Sequence, residues 1–175
     1  MQRPLAGCLT LAALVALIPS GANAQAARTA SNTVFLELGG NALLYSLNYE
    51  RVLPSAVGLR AGMGYMSVSA AAGGTSANAS VLTIPLTVSY LGLGGGSAKF
   101  EIGGGATLTR FSGSSSTGFG DEIEAGAFVP IGTFIAGLRL APPGGGFNFK
   151  LSFTPFWHPD IGFFPWGGLG FGFGF

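Results

Sequence analysis

Apolar and polar residues alternate with a period of two along much of the chain. In segment 81–90, one face of an extended strand holds Leu82, Ile84, Leu86, Val88 and Tyr90, and the other holds Thr83, Pro85, Thr87 and Ser89. Segment 43–50 sets Leu43, Tyr45, Leu47 and Tyr49 against Leu44, Ser46, Asn48 and Glu50. Segment 147–154 continues the pattern, with Phe149, Leu151 and Phe153 opposite Asn148, Lys150, Ser152 and Thr154. Because successive side chains of a β-strand point to opposite faces, this alternation predicts strands with one apolar face.

Eight such strands are predicted when the chain is divided at clusters of turn residues. They lie near residues 33–38, 42–52, 56–68, 81–92, 98–111, 124–140, 147–157 and 165–175. Short connections at 53–55, 93–97 and 141–146 follow the second, fourth and sixth strands. Two connections at the other end, 70–80 and 112–122, are long and polar. Short periplasmic turns combined with long external loops are typical of outer-membrane barrels.

The first 24 residues predict a secretory signal rather than a part of the fold. Arg3 precedes an apolar run at 9–18, and Pro19 and an Ala22, Asn23, Ala24 exit follow it. The run is about ten residues long, whereas a membrane-spanning helix needs roughly 20. We therefore expect cleavage after Ala24, which divides the chain into a signal peptide at 1–24 and one barrel domain at 25–175. Because the single cysteine, Cys8, lies in this signal, the exported chain has no disulfide.

The composition indicates a surface that water alone does not solvate. The chain is 9% charged and contains 31 glycines and 15 phenylalanines, whereas an ordinary soluble domain carries about 25% charged residues. Without Arg3, seven basic residues balance seven acidic ones, and a neutral surface argues against nucleic-acid binding. In hydrocarbon every backbone amide and carbonyl needs a protein partner, so the sheet must close on itself. We predict an all-β fold, an eight-stranded antiparallel up-and-down transmembrane β-barrel.

The two faces of the predicted strands carry different chemistry. The apolar face is expected to meet lipid, with aromatic girdles at the two membrane interfaces. Five girdle residues are predicted near the periplasmic strand ends, namely Tyr49, Tyr90, Phe100, Phe147 and Phe175. Three are predicted near the external side, namely Tyr65, Trp157 and Trp166.

The opposite face is expected to carry a balanced network of charges inside the barrel. Its members are Glu37, Glu50, Arg60, Glu101, Arg139 and Lys150. Whether the Arg139 side chain points inward depends on the alternation of its strand, which is ambiguous around 129–135. Eight strands leave an interior about wide enough for side chains to fill, so we predict a filled, salt-bridged interior. The alternative is a narrow channel or a conduit for small apolar solutes.

Both ends of the predicted barrel domain resemble known outer-membrane proteins. The closing GLGFGFGF resembles the assembly signal of outer-membrane barrels, with Leu169, Phe171, Phe173 and Phe175 on one face. The opening VFLELGGNALLYSLNYERVL resembles the start of small outer-membrane β-barrel domain proteins of the OmpA/OmpX-like type. The resemblance implies assembly into the bacterial outer membrane and brings no catalytic residue with it. We also expect a monomer in contact with lipid and lipopolysaccharide, inserted by the barrel-assembly machinery and without a cofactor.

An enzyme that modifies lipid A is the catalytic alternative, and it would need an external nucleophile and base. His158 and Asp160 lie in one predicted external loop, while Ser112 and 114–116 lie in another. A His-x-Ser pattern is typical of lipid A deacylases. Here His158 is followed two residues later by Asp160 instead of a serine. One His and one Asp do not make a metal site. The acidic cluster of Asp121, Glu122 and Glu124 is expected to be a solvated loop base, with calcium binding as the alternative.

Overall fold

The computed structural model of the protein describes residues 30–72, 75–115, 122–123, 126–160 and 162–175. The predicted signal peptide, the expected loop residues Ser116, Asp121 and Glu124, and the Glu122 side chain lie outside the described part. The strands are β1 Asn32–Gly39, β2 Tyr45–Val52, β3 Val57–Ala72, β4 Thr75–Gly95, β5 Ala98–Ser115, β6 Glu122–Ile123, β7 Val129–Leu140, β8 Gly146–Phe153, β9 Phe156–His158, β10 Gly162–Phe164 and β11 Gly167–Gly174. One 3-10 turn, Gly40–Ala42, lies between β1 and β2. No described helix is long and apolar enough to cross a membrane.

Eight of these strands form a closed antiparallel ring. The order around the ring is β1, β2, β3, β4, β5, β7, β8 and β11, and β11 pairs with β1 to close it. The closing register sets Val34 opposite Phe173 and Leu38 opposite Leu169. Strand β6 adds to β5, and β9 and β10 extend the wall beside β7. Each of the eight strands has a partner on both sides, which confirms the predicted eight-stranded antiparallel barrel.

The wall of the barrel is polar inside and apolar outside. On β2, the inward Glu50 is 0% exposed, whereas the outward Leu47 is 61% exposed. The same phase continues along β8, where Asn148, Lys150 and Ser152 are buried while Phe147, Leu151 and Phe153 are exposed. Burial of carboxylates together with exposure of leucine and phenylalanine reverses the pattern of a soluble protein, and it is typical of a barrel whose surroundings are lipid.

The connection between β1 and β2 differs from the sequence prediction. Strand β2 begins at Tyr45 rather than at residue 42, because Gly39 and Gly40 adopt φ angles of +71° and +66° and end the extended chain. Leu44, predicted to point inward, is therefore exposed. The adjacent Gly40–Ala42 turn, which we call the internal turn, is buried at all three residues.

Several strand bounds also differ from the prediction. The predicted loop at 70–80 is mostly strand, because β3 runs to Ala72 and β4 begins at Thr75, and their backbones pair with each other. The predicted strand at 124–140 begins at Val129. The predicted strand at 147–157 is interrupted before Pro155, whose nitrogen cannot donate to a ladder. The last strand begins at Gly167 rather than at residue 165.

The two ends of the barrel are therefore unequal. The short-turn end holds the connections at 53–56, 96–97 and 141–145, together with Asn32 and Phe175, which exchange backbone hydrogen bonds of 3.0 and 2.8 Å. The opposite end, which we call the long-strand end, holds the upper parts of β3, β4 and β5. Strand β4 has 21 residues, whereas about 9–11 tilted residues cross a bilayer. The wall at β3–β5 is thus longer than a bilayer crossing requires.

Candidate functional site: the charged barrel interior

Four of the six predicted interior charges form one chain of ion pairs near the short-turn end. Arg139 on β7 donates from both terminal nitrogens to the carboxylate of Glu50 on β2, with Nη2 2.8 Å from Oε2. The same Nη2 lies 2.9 Å from Oε2 of Glu101, whose other oxygen lies 2.9 Å from Nζ of Lys150. Because β2 and β7 lie on opposite sides of the ring, the Arg139–Glu50 pair spans the interior.

The other two charges form a second cluster on the side of the internal turn. Arg60 Nη1 lies 3.3 Å from Oε1 of Glu37, and Arg60 Nε donates to the Thr87 hydroxyl at 3.0 Å. The Phe35 ring lies between the clusters, with its centroid 5.5 Å from the Arg60 guanidinium carbon and 5.7 Å from Lys150 Nζ. Phe35 therefore contributes cation–π attraction to both groups.

The internal turn completes the second cluster, and sequence reasoning missed it. The Asn41 side chain accepts a hydrogen bond from Arg60 Nη2 and donates one of 2.6 Å to the Thr133 hydroxyl on β7. The Asn41 carbonyl accepts a bond of 2.5 Å from Thr107 on β5, and its amide donates to Glu37 at 3.3 Å. One short turn thus links strands on several sides of the barrel. Its signal in the sequence is the Gly39, Gly40, Asn41 run, which the predicted strand bounds left as a plain connection between the first two strands.

The interior contains three acids and three bases, and all six are buried. Buried charges are tolerated when they are paired and hydrogen-bonded, and every one of the six has an oppositely charged partner. The six charges therefore compensate one another in pairs among the described residues. Some buried polar atoms have no partner among the described residues, including Arg139 Nε and Asn48 Oδ1.

The predicted aromatic residues separate into two groups along the barrel. Tyr49, Tyr90, Phe100, Phe147 and Phe175 are exposed on the outer wall toward the short-turn end, and Tyr65 and Trp157 are exposed in the opposite half. Trp166 differs, because it is partly buried and its indole nitrogen donates a 2.8 Å hydrogen bond to the Leu43 carbonyl. Trp166 therefore connects the start of β11 to the chain next to the internal turn.

The predicted assembly signal lies on β11 and at the residue that follows it. Leu169, Phe171 and Phe173 alternate outward with inward glycines, and Phe171 packs against Phe149 of β8 with ring centroids 5.4 Å apart. The Phe175 side chain is 61% exposed. Its aromatic ring is therefore accessible from the outer wall of the barrel.

Of the residues of the enzyme alternative, the structure brings His158 and Asp160 into contact. The Asp160 amide donates to His158 Nδ1 at 3.3 Å, and Asp160 Oδ2 lies 3.6 Å from the same nitrogen, so the contact is local to one turn. No hydrogen bond joins His158 to a serine within the described residues. Those residues also contain no cluster of three or more His, Cys, Asp or Glu side chains suited to a metal.

Comparison with known proteins gives one structural likeness. Neither a family model nor a curated protein matches the chain. Among solved structures, the N-terminal β-barrel domain of Pseudomonas aeruginosa OprF is similar, with 19% sequence identity and a TM-score of 0.44. That similarity covers 82% of this chain and 95% of the OprF domain. The likeness concerns the fold alone.

Proposed function

We propose that the protein is an integral β-barrel of the bacterial outer membrane with a filled, salt-bridged interior and a structural or surface-interaction role. The observation that supports this most directly is the inverted polarity of the wall. Glu37, Glu50 and Glu101 are buried inside, while a continuous set of Leu, Val, Phe and Tyr side chains is exposed outside. Apolar surface of this extent is unfavourable in water and favourable in a bilayer.

The partners in this proposal follow from the outer surface. Lipid covers the apolar band, and lipopolysaccharide surrounds the long-strand end once the short turns face the periplasm. The exposed aromatic residues at the two heights form the interface girdles. Export through the signal at 1–24 precedes insertion by the assembly machinery, which reads the outward aromatic residues of β11. A monomer suffices, because the closed ring leaves each barrel strand paired on both sides.

The closed interior supports the proposed structural role. The Glu50–Arg139–Glu101–Lys150 chain occupies the interior at one level, and the internal turn occupies it at another through Asn41. A solute crossing the barrel would have to break both layers. The geometry thus favours a mechanically stable envelope protein over an open pore.

Heat-modifiability of the mature chain tests the membrane assignment. The protein is folded in detergent and compared on gels before and after boiling, and cells expressing it are fractionated into inner and outer membranes. We expect a heat-dependent mobility shift and recovery in the outer membrane. Soluble periplasmic recovery without a shift would overturn the proposal.

Conductance and lipid A mass distinguish the remaining functions. In planar bilayers the folded barrel is expected to give no discrete conductance steps, and regular steps or solute uptake would favour the narrow-channel alternative. Lipid A from expressing cells is expected to keep its mass. A change in mass that His158→Ala abolishes would instead support a lipid A modifying enzyme.

A further inference from the structure

The barrel wall contains a notch between β2 and β3 at the long-strand end. Pairing between these strands stops at Leu47 opposite Met63, although β3 continues to Ala72. Above this point the Tyr45 hydroxyl donates to the Tyr65 carbonyl, so a side chain rather than a strand ladder spans the gap. The cause is the internal turn, which takes residues 40–42 out of the wall and leaves β2 short.

A small apolar pocket lies behind the notch, with a cavity volume of about 70 Å³. Its inner wall is formed by Ala42 and Leu43 of the turn region and by Met66, Val81 and Phe111 on β3, β4 and β5. The Thr83 hydroxyl at its base lies 3.3 Å from the carbonyl oxygens of both Ala42 and Gly64. The lining contains no charged side chain, and its polar hydroxyl is already bonded within the protein.

The inward face of the wall changes chemistry at the height of the internal turn. Below the turn, the inward positions of β4 and β5 are buried threonines and serines, including Thr87 and Thr107. Above Thr83 and Thr109, the same inward phase continues with Val81, Met66 and Phe111, which pair across β3, β4 and β5. Phe111 is 54% exposed and Val68, two residues above Met66, is 55% exposed. These apolar side chains therefore have no adequate cover from the described residues.

We infer that this pocket binds the acyl chain of a lipid from the membrane leaflet around the long-strand end. The inference rests on the proposed membrane location. Leu44, Tyr45 and Tyr65 at the mouth are exposed on the outer wall, so hydrocarbon reaches the opening without crossing water. The apolar inner wall gains hydrophobic contact from such a chain, and the tyrosine hydroxyls remain at headgroup height.

Photolabelling tests the site. The full mature chain is reconstituted in vesicles of phosphatidylcholine that includes lipid with a mid-chain diazirine, and adducts are mapped by mass spectrometry after irradiation. Lipid that only surrounds the barrel labels outward residues such as Leu86. Lipid in the pocket also labels the inward residues Met66, Val81 or Phe111. We expect inward adducts, and labelling confined to outward residues of a folded barrel would overturn the inference.

Substitutions that fill the pocket test the position of the bound chain, with a control on the outer face of the same strand. Val81→Trp fills the pocket and is expected to reduce adducts at Met66 and Phe111 to background, while the outward Val88→Trp on the same strand leaves them unchanged. Met66→Trp fills the pocket from β3 and provides an independent variant. Phe111 labelling that stays at the wild-type level in both filled variants would contradict the site. Gel mobility separates the two proposals, since a wild-type chain without a heat-dependent shift overturns the membrane assignment itself and the acyl-chain site with it.

Discussion

At the scale of single residues, the interior is stabilised by pairing rather than by apolar packing. Glu101 accepts from both Arg139 and Lys150, so one carboxylate neutralises part of two buried cations. Glu50 holds Arg139 from the other side. Removal of any of these side chains therefore changes the charge balance of its neighbours. The effects of two substitutions within this chain of ion pairs on stability are not additive.

A double-mutant cycle on Glu101 and Lys150 tests this arrangement. Glu101→Ala leaves Lys150 and part of Arg139 unpaired in a buried position, and it is expected to reduce the free energy of unfolding by about 3–5 kcal/mol. Adding Lys150→Met restores part of the loss, because the remaining Arg139–Glu50 pair is neutral. Urea unfolding of barrels in lipid vesicles measures both quantities. Additive losses in the double variant would show that the two side chains are not coupled.

At the scale of elements, the internal turn determines both the closed interior and the notch in the wall. Gly40 makes the turn possible because its φ is +66° and because a Cβ there would lie 2.2 Å from Glu37 Cδ. Glu37 is held by Arg60, so it cannot move away without breaking an ion pair. The conformation of one glycine thus couples the backbone of the turn to the charge network.

Gly40→Ala is expected to displace the turn from the interior, lower stability and produce conductance in planar bilayers. Gly96→Ala is the matched control, because Gly96 also has a positive φ of +59° but no atom lies near its Cβ position. The control carries only the left-handed backbone penalty of about 1–2 kcal/mol. The larger loss and the conductance should therefore be specific to Gly40→Ala. Equal unfolding free energies and silent bilayers for both variants would refute the role of the turn.

At the scale of the whole molecule, closure depends on the two chain ends. Strand β1 pairs with β11 over seven register positions from Thr33 to Gly39. The backbone hydrogen bonds between Asn32 and Phe175 extend this seam to the end of the chain. The Phe175 ring itself points outward and contributes little to the seam, so its side chain is free for recognition during assembly.

Phe175→Ala is expected to lower the amount of assembled barrel in the outer membrane of cells while leaving refolding in detergent nearly unchanged. The reason is that the substitution removes a recognition element and keeps the backbone seam. Phe147→Ala is the control, because Phe147 is similarly exposed at the short-turn end and pairs with Phe173. Quantitative membrane fractionation compares the two. Equal assembly of both variants would contradict a special role for the terminal aromatic residue.

The period-two pattern, together with the turn clusters, was sufficient to predict the eight-stranded fold, and it assigned five of the six charges to the inward face. Alternation is a local consequence of strand geometry. The opposite environments of Glu50 and Leu47 can therefore be predicted from a few neighbouring residues. Even Arg139, whose phase the pattern left ambiguous, lies inside because its register with Lys150 and Lys99 is set by neighbouring strands. The eight-strand number followed from the same local pattern and its turn clusters.

Only the tertiary structure decided which charges pair, where the chain enters the interior and how far the strands extend. The Glu50–Arg139 pair joins residues 89 positions apart, and no local pattern contains that distance. Asn41 became an interior residue because Arg60, Thr107 and Thr133 meet it from separate strands. The small residues at 70–72 and 75–80 have weak strand preference, and they extend β3 and β4 because each backbone supplies the other's hydrogen bonds. Local periodicity thus determined the faces of the strands, while contacts through space determined the internal turn, the notch and the pocket.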